Sequence, residues 1–143
     1  MQDGAFMHWG APINSQADID AVLAMKTWAV VGLGNNPDRA AFGVAQLLQN
    51  KGHRIIPVYL RAETVHGETG YKTLAEIPTP VDVVDCFVNS QLVGKVVDEA
   101  IAIGAKAVWL QLDVIDHEAV ARAINAGLIA IMDRCPAIEY RNK

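Results

Sequence analysis

The chain has 143 residues, of which 52% are hydrophobic and 20% charged, a composition too apolar for a disordered protein. This length supports one domain with a sizeable core and leaves no room for a second catalytic domain of ordinary size. With 12 basic and 16 acidic residues the formal net charge is −4, so no overall basic field would attract nucleic acid or an anionic membrane. An anionic ligand must therefore be bound by local donors.

No apolar run is long enough to span a bilayer, and the amino-terminal segment lacks the basic end and apolar stretch of a signal peptide. We therefore expect a cytoplasmic protein. The two cysteines, Cys86 and Cys135, lie far apart and form no Cys-x-x-Cys pair, so reduced thiols are expected. We expect no nucleic-acid or membrane partner, and the sequence does not indicate a protein partner.

In chain order, Ser15 to Asp18 carry a capping pattern, which predicts a short helix in an amino-terminal helical extension spanning residues 1–26. Apolar runs rich in valine and isoleucine then recur at the spacing of strand, crossover helix and strand. They begin near residues 28, 54, 82, 107 and 128. We predict a single α/β domain over residues 1–143, a Rossmann-like, doubly wound, five-stranded parallel sheet in three layers (α/β/α), with strand order 3-2-1-4-5.

Helical patterns lie between the strands, and each begins at a residue type that caps helices. Their first residues are Asn36, Asn89 and Asp116. Pro37 suits the first position of the first of these helices. Residues 61–80 contain two glycines and two prolines, which predicts a long loop with one helical turn. Pro57 is unusual in an internal strand and is expected to mark the end of the second strand.

The turn after the first predicted strand reads Gly32-Leu33-Gly34-Asn35-Asn36-Pro37. Ligands of doubly wound sheets bind beyond the carboxyl ends of the strands where the strand order reverses, here expected between the turns after strands 1 and 4. Two glycines let the backbone approach a pyrophosphate, which would meet free N–H groups at the helix start. Arg39 would add a further donor. Pro37 replaces the third glycine of the dinucleotide fingerprint, and a tight turn without a ligand is the alternative.

The end of the second predicted strand, Val58-Tyr59-Leu60-Arg61, bears on the choice of nucleotide. A cofactor with a free ribose 2′-hydroxyl usually meets an acidic residue about 20 residues beyond the glycines. Arg61 favours instead a ribose that carries a phosphomonoester, as in NADP or coenzyme A (CoA). A solvated surface arginine is the alternative interpretation.

Few side chains are placed for catalysis. The four histidines have no partner at motif spacing; they are His8, His53, His66 and His117. No hydrolase, zinc-protease or P-loop motif is present. Glu63, His66 and Glu68 could together hold a metal, but a solvated polar loop explains them as well. We predict no catalytic residue and no metal site, and a binding protein rather than an enzyme.

Asp82 and Asp85 lie at the start and middle of the third predicted strand, away from the carboxyl end where a phosphoryl group would arrive. We therefore do not interpret them as phosphoryl acceptors; Asp85 is expected to pair with a donor, and Cys86 to pack in the core. Cys135 follows the fifth strand next to Arg134, which could keep the thiol reactive. A small packing residue is the alternative.

The order of segments resembles the small standalone CoA-binding proteins, which are similar to the amino-terminal CoA-binding domain of the succinyl-CoA synthetase α subunit. The resemblance covers roughly residues 27–139 and rests on these segments: GLGNNPDRAAFGVAQLLQNKGHRIIPVYL, HGETGYKTLAEIP, VDVVDCFV, EAIAIGAKAVWLQLDV and AGLIAIMDRCPAIE. It implies a Rossmann-like domain that holds the nucleotide of CoA. The phosphohistidine and ligase domain of the synthetase have no counterpart, so its reaction is not implied.

The resemblance also implies a set of cofactor-binding residues, on the pyrophosphate, at the adenosine and closing the slot after the third strand. They are Gly32, Leu33, Gly34, Asn35, Asn36 and Arg39; Val58, Tyr59 and Arg61; and Phe87, Val88 and Asn89. Many relatives read Gly-Ala-Ser at the first three positions and Phe-Arg at Phe87-Val88. The missing hydroxyl and cation would weaken the affinity or change the preferred ligand. If CoA is bound, Cys135 could form a mixed disulfide with its thiol.

Three functions follow from these observations. The first is a non-enzymatic CoA or acyl-CoA binding protein with a regulatory or carrier role. The second is an NADP-binding subunit of oxidoreductase or transferase type that takes its substrate site from a partner chain. The third is a scaffold whose nucleotide pocket has decayed. We expect CoA as the cofactor, with NADP as the alternative.

Overall fold

The structure, a computed structural model, describes residues 5–6 and 12–143. The strands are β1 (Ala5–Phe6), β2 (Pro12–Ile13), β3 (Thr27–Val31), β4 (Arg54–Val58), β5 (Val83–Cys86), β6 (Ala107–Leu110) and β7 (Ile129–Ile131). The helices are α1 (Gln16–Leu23), α2 (Ala40–Asn50), α3 (Val93–Ala102), α4 (His117–Asn125) and α5 (Pro136–Arg141). A single 3₁₀ turn, Leu74–Glu76, lies in the loop that follows β4.

Strands β3 to β7 form a five-stranded parallel sheet in the order β4-β3-β5-β6-β7. In terms of the five predicted strands this order is 2-1-3-4-5, so the predicted order 3-2-1-4-5 is wrong. Asp82 shows why β5 lies beside β3: its carboxylate accepts a hydrogen bond from the Thr27 amide at 3.0 Å, and its amide donates to the Thr27 carbonyl. The apolar pattern of a buried strand does not specify its neighbours, since both doubly wound orders bury the same residues.

The corrected order makes β4 an edge strand, whose free side is covered by the segment at Tyr71. The Tyr59 amide donates to the Tyr71 carbonyl at 3.0 Å, and the Tyr71 amide donates to the Pro57 carbonyl at 2.9 Å. Pro57 is the last residue but one of β4, close to the predicted strand end. Its backbone faces the free side of this edge strand, so the missing N–H group removes no hydrogen bond to β3. The strand order reverses between β3 and β5. The ligand crevice, predicted between the turns after the first and fourth strands of the sheet, is therefore expected between the turns after β3 and β5.

Helix starts agree with the capping residues in two of four cases. Ser15 and Asp116 cap α1 and α4 through their side chains, as predicted. The helix predicted from Asn36 begins only at Ala40, because the Asn36 side chain accepts from the Asp38 amide at 3.0 Å and closes a turn instead. Asn89 behaves in the same way, accepting from two amides of a turn, so α3 begins at Val93.

Helices cover both faces of the sheet and give two hydrophobic clusters. One face packs against α1, α2 and α5 around the fully buried Trp28 and Trp109. The other face packs against α3 and α4 and includes Cys86, which was predicted to lie in the core. The predicted three-layer α/β/α fold is therefore confirmed. The sequence analysis did not predict the β1–β2 pair or α5. In the described part of the chain, no helix combines the length and the hydropathy needed to cross a membrane.

Candidate functional site

The carboxyl ends of β3, β4, β5 and β6 open into a cleft of about 640 Å³, which we call the large cleft. A smaller one of about 240 Å³, the polar cleft, lies over the glycine turn and shares Gly32, Arg39 and Tyr59 with the large cleft. Volumes of this order fit a small molecule or cofactor. The large cleft spans the ends of β3 and β5, between which the strand order reverses, and this is the ligand-binding position of doubly wound sheets.

The glycine turn needs its glycines for two different reasons. Gly32 has a φ of +100°, and a Cβ there would overlap the backbone carbonyl oxygen of Phe87. A Cβ on Gly34 would lie 2.9 Å from the Glu63 carboxylate and 3.2 Å from the Tyr59 ring. Between them, the Leu33 side chain is fully buried in the core and anchors the turn. The half-buried glycines on both sides of this anchored residue thus allow β5 and the Tyr59–Glu63 segment to approach the turn closely.

All of the predicted site residues except Leu33 line one or both clefts, and Leu33 offers only its backbone. Those in the polar cleft are Gly32, Gly34, Asn35, Asn36, Arg39, Tyr59 and Arg61. Those in the large cleft are Gly32, Arg39, Val58, Tyr59, Phe87, Val88 and Asn89. The fold thus brings together segments far apart in the sequence. Their binding of a cofactor remains a prediction.

Three exposed cations line the clefts without a carboxylate partner among residues 12–143. Arg39 borders both clefts, Arg61 the polar cleft and Lys72 the large cleft. The ion pairs of the described chain lie elsewhere and involve Lys106, Arg122 and Lys143. In a protein of net charge −4, unpaired cations at one place provide the local donors that an anionic ligand requires. Lys72 was not among the predicted site residues; the pairing of Tyr71 with β4 brings it to the cleft.

Glu63 occupies part of the glycine turn. Its Oε1 atom accepts a hydrogen bond from the Asn35 amide at 3.2 Å, and the Asn35 side chain donates to the Thr64 carbonyl at 2.9 Å. The segment after Arg61 is thus docked onto the turn, with a carboxylate at an amide that would otherwise be free for an anion. From the sequence, Glu63 is a candidate only for a metal site, and its role at the glycine turn carries no sequence signal.

The alternative of a metal site at Glu63, His66 and Glu68 gains no geometric support. His66 interacts instead with α2, since its Nε2 atom lies 2.9 Å from the Phe42 carbonyl and its ring lies 4.3 Å from the Phe42 ring. Across residues 5–6 and 12–143, no three His, Cys, Asp or Glu side chains are grouped closely enough to hold a metal ion.

A buried polar pair joins β5 to the residue after β6, and one of its members, Gln111, contributes to the lining of the large cleft. Asp85 and Gln111 are 0% and 5% exposed, and the Gln111 Nε2 atom donates to the Asp85 Oδ1 atom at 2.6 Å. Gln111 is the donor that the sequence could not identify. The other carboxyl oxygen, Oδ2, has no partner in the described chain. Burial raises the pKa of Asp85 to about 7, while the hydrogen bond from Gln111 opposes this shift.

Cys135 lies outside both clefts. It is the residue before α5, is half-buried, and packs against the cluster around Trp109. The Arg134 guanidinium donates to the Asp133 carbonyl at 3.0 Å. The packing interpretation of Cys135 is therefore the better supported, and a mixed disulfide with CoA has no geometric support.

The comparisons with known proteins agree with this geometry. The family model of the CoA binding domain matches residues 26–141, and the chain belongs to this family. YneT of Bacillus subtilis (strain 168), named as an uncharacterized protein, is 34% identical over 127 residues, which are 88% of this chain and 94% of YneT. A hypothetical protein from Pyrococcus horikoshii OT3 has a TM-score of 0.85 and 35% identity, covering 90% of this chain and 92% of that protein.

One further relative is an enzyme subunit. The α subunit of an ADP-forming acetate–CoA ligase (form II) of Pyrococcus furiosus is 33% identical over 81 residues. These residues are 56% of this chain but only 18% of that subunit. The predicted resemblance to CoA-binding domains of the succinyl-CoA synthetase type is thereby confirmed, and most of the ligase subunit has no counterpart in the match.

Proposed function

We propose that this chain is a non-enzymatic, cytoplasmic CoA-binding protein with a carrier or regulatory role. One observation carries the proposal: three cations without carboxylate partners in the described chain line the two clefts that meet at the glycine turn after β3, beside the point where the strand order reverses. Membership of the CoA-binding domain family supports CoA as the ligand.

The two clefts suggest how CoA would lie. The pyrophosphate would bind the backbone of the glycine turn, with Arg39 beside it and the first turn of α2 directed at its charge, since Ala40 and Ala41 line the large cleft. The adenosine would lie against Tyr59, and Arg61 would bind the 3′-phosphate. The pantetheine arm would follow the large cleft past Phe87 towards β6.

A binding role is supported by the chemistry of the lining. No His, Cys or Ser side chain of the described residues lines either cleft. The Glu63 carboxylate in the lining of the polar cleft accepts a hydrogen bond from the Asn35 amide, and the Asp85 carboxyl group is fully buried and bonded to Gln111. Nucleophilic catalysis requires an accessible nucleophile next to a base, and no serine or cysteine nucleophile is present in the described lining.

Arg61 provides the sharpest test. We expect CoA to bind at least about tenfold more tightly than dephospho-CoA, or ~1.4 kcal/mol, the order of one charge-assisted contact. Arg61→Ala should remove this preference, measured by titration calorimetry with both ligands. Arg54→Ala is the matched control, because Arg54 lies at the amino end of β4, away from the clefts, and its guanidinium donates to the Thr79 hydroxyl. Equal binding of both ligands by the unmodified protein would contradict the role of Arg61.

Glu63 should weaken anion binding. Its carboxylate holds the Asn35 amide and repels a pyrophosphate, so Glu63→Gln is expected to lower the Kd for CoA several-fold. Glu68→Gln, in the same loop but lining neither cleft, should leave the Kd within error. The measurement is a calorimetric titration at low and high salt. A weaker affinity in Glu63→Gln would contradict this expectation. It would mean that the carboxylate binds the ligand directly, for example by accepting a hydrogen bond from a ribose hydroxyl.

NADP is the second candidate, favoured by the same unpaired guanidinium of Arg61 in the polar cleft. Competition distinguishes the two ligands. The proposal expects CoA to raise the melting temperature and to displace NADPH, whereas saturable NADPH binding that CoA does not affect would favour the NADP-binding subunit. If neither ligand raises the melting temperature, the decayed-pocket scaffold is favoured.

A further inference from the structure

Three of the four large apolar side chains that are most exposed in the described chain lie at the end of the large cleft over β5 and β6, and the fourth, Leu60, lies at the β4 end. The large hydrophobic residues that are prominently exposed in the described chain are Leu60 (81%), Leu92 (56%), Leu112 (49%) and Ile115 (43%). Single exposed leucines need no explanation, but a group at the mouth of a cleft does. Leu92 and Leu112 line the cleft together with the buried Val114, and Ile115 follows directly.

This apolar end is held in place by hydrogen bonds. The Ser90 hydroxyl accepts from the Ile115 amide at 2.9 Å and donates to the Asp113 carbonyl at 3.3 Å. On the other side of the loop, the Asp113 amide donates to the Asp133 carboxylate at 2.7 Å. The loop after β6 is therefore tied both to the segment before α3 and to the segment after β7. A surface fixed in this way loses little conformational freedom when a ligand covers it.

The two ends of the cleft system differ in chemistry. The end over β3 and β4 carries Arg39, Arg61 and Lys72, whereas the part over β5 and β6 is lined by uncharged side chains. Adjacent strands lie about 4.8 Å apart, so β6 is about 10 Å from β3. An extended pantetheine arm is longer than this distance. A CoA molecule with its pyrophosphate at the glycine turn would therefore bring its thioester to the apolar end.

We propose that the apolar end of the large cleft binds the hydrocarbon chain of an acyl-CoA, with Leu92, Leu112 and Ile115 covering the chain. This inference rests on the proposed CoA-binding function and names its ligand class. A dicarboxylic acyl group does not fit, because its free carboxylate would meet leucines and the exposed Asp113 at the end of the cleft over β5 and β6, where the described lining holds no cation. The ligand class is an uncharged acyl chain.

The test is a chain-length series in titration calorimetry on the full chain: CoA, acetyl-CoA, butyryl-CoA, hexanoyl-CoA and succinyl-CoA. Burying a methylene group contributes about 0.8 kcal/mol, which is about fourfold in Kd. We expect a two- to fourfold gain per methylene from acetyl to hexanoyl, and succinyl-CoA binding more weakly than butyryl-CoA.

Two variants locate the effect. Leu92→Ser and Leu112→Ser change exposed side chains and should fold normally, while reducing the gain per methylene to near onefold. Leu60→Ser changes a side chain at the β4 end of the cleft and serves as the control. The gain in affinity per methylene should be the same as in the unmodified protein, even if the Kd for CoA changes.

The outcomes separate the inference from the function on which it rests. CoA binding with no dependence on chain length would overturn the acyl site and leave CoA binding intact. An unchanged gain in both leucine variants would also overturn it. No binding of any member of the series would remove the proposed function as well. If Leu112→Ser instead abolishes a dimer seen by sedimentation and chain length has no effect, the apolar end is an interface between copies.

Discussion

Replacing Asp85 with asparagine is expected to stabilise the protein above neutral pH. The carboxyl group is completely buried, one of its oxygens has no partner in the described chain, and burial raises its pKa from 3.8 to about 7. Asparagine keeps the shape and an oxygen for the Gln111 amide, but it never has to be charged inside the core.

The direction of the pH dependence follows from the raised pKa. The folded protein retains the Asp85 proton at pH values where the unfolded chain has lost it. The contribution of Asp85 to stability is therefore complete below about pH 4, is lost as the pH rises through about 7, and is constant above that. A shift from 3.8 to about 7 corresponds to about 4 kcal/mol in total, of which about 3 kcal/mol falls between pH 5 and pH 8.

Urea unfolding of both proteins between pH 5 and pH 8 measures this difference, because titration of all other groups is common to the two. The wild-type free energy of unfolding should fall relative to that of Asp85→Asn across this range. Parallel pH profiles would show that Asp85 ionises normally in the folded state, and the account of the buried polar pair would then be wrong.

Gly32→Ala is expected to have the second large effect. A left-handed backbone costs about 1–2 kcal/mol for a residue with a Cβ, and overpacking costs about 1–3 kcal/mol more. At Gly32 both terms apply, since its φ is +100° and the Cβ would overlap the Phe87 carbonyl. We expect a total loss of roughly 2–5 kcal/mol in urea unfolding, together with a loss of ligand binding as the turn moves away from β5.

Two other glycines separate these terms. Gly127 has a φ of +92° and no atom within 4 Å of the position that a Cβ would take, so Gly127→Ala should show the backbone cost alone. Gly43 lies inside α2 with open space around it, so Gly43→Ala should stabilise by up to about 1 kcal/mol. If Gly32→Ala costs no more than Gly127→Ala, the close approach of the glycine turn to β5 is not a constraint.

The glycine turn shows what a local pattern can predict. A strand followed by two glycines, a cation and a helix predicts a ligand site at that end of the strand, without knowledge of the remaining fold. Gly32, Gly34 and Arg39 do line the clefts. The first residue of α2 could not be predicted from the local pattern. Asn36 and Pro37 fit a helix start and a turn equally well, and the side-chain bond of Asn36 to the Asp38 amide decides in favour of the turn.

Long-range pairing explains what the sequence could not predict. The position of β5 depends on Asp82 meeting Thr27, 55 residues earlier in the chain, and Lys72 reaches the cleft because Tyr71 pairs with the edge of β4. Glu63 reaches the Asn35 amide only because the loop after β4 folds back. None of these contacts has a periodic or motif signature, so the strand order, one cation and one carboxylate of the site were missed.

The most direct test of a CoA nucleotide on the glycine turn is a series of amide proton–nitrogen correlation spectra of the labelled protein titrated with CoA. The account predicts saturable shifts that are largest at Gly34, Asn35 and the first turn of α2, with a second group around Tyr59 and Arg61. No shifts at millimolar CoA, or shifts confined to the amino ends of the strands and the outer faces of the helices, would contradict it.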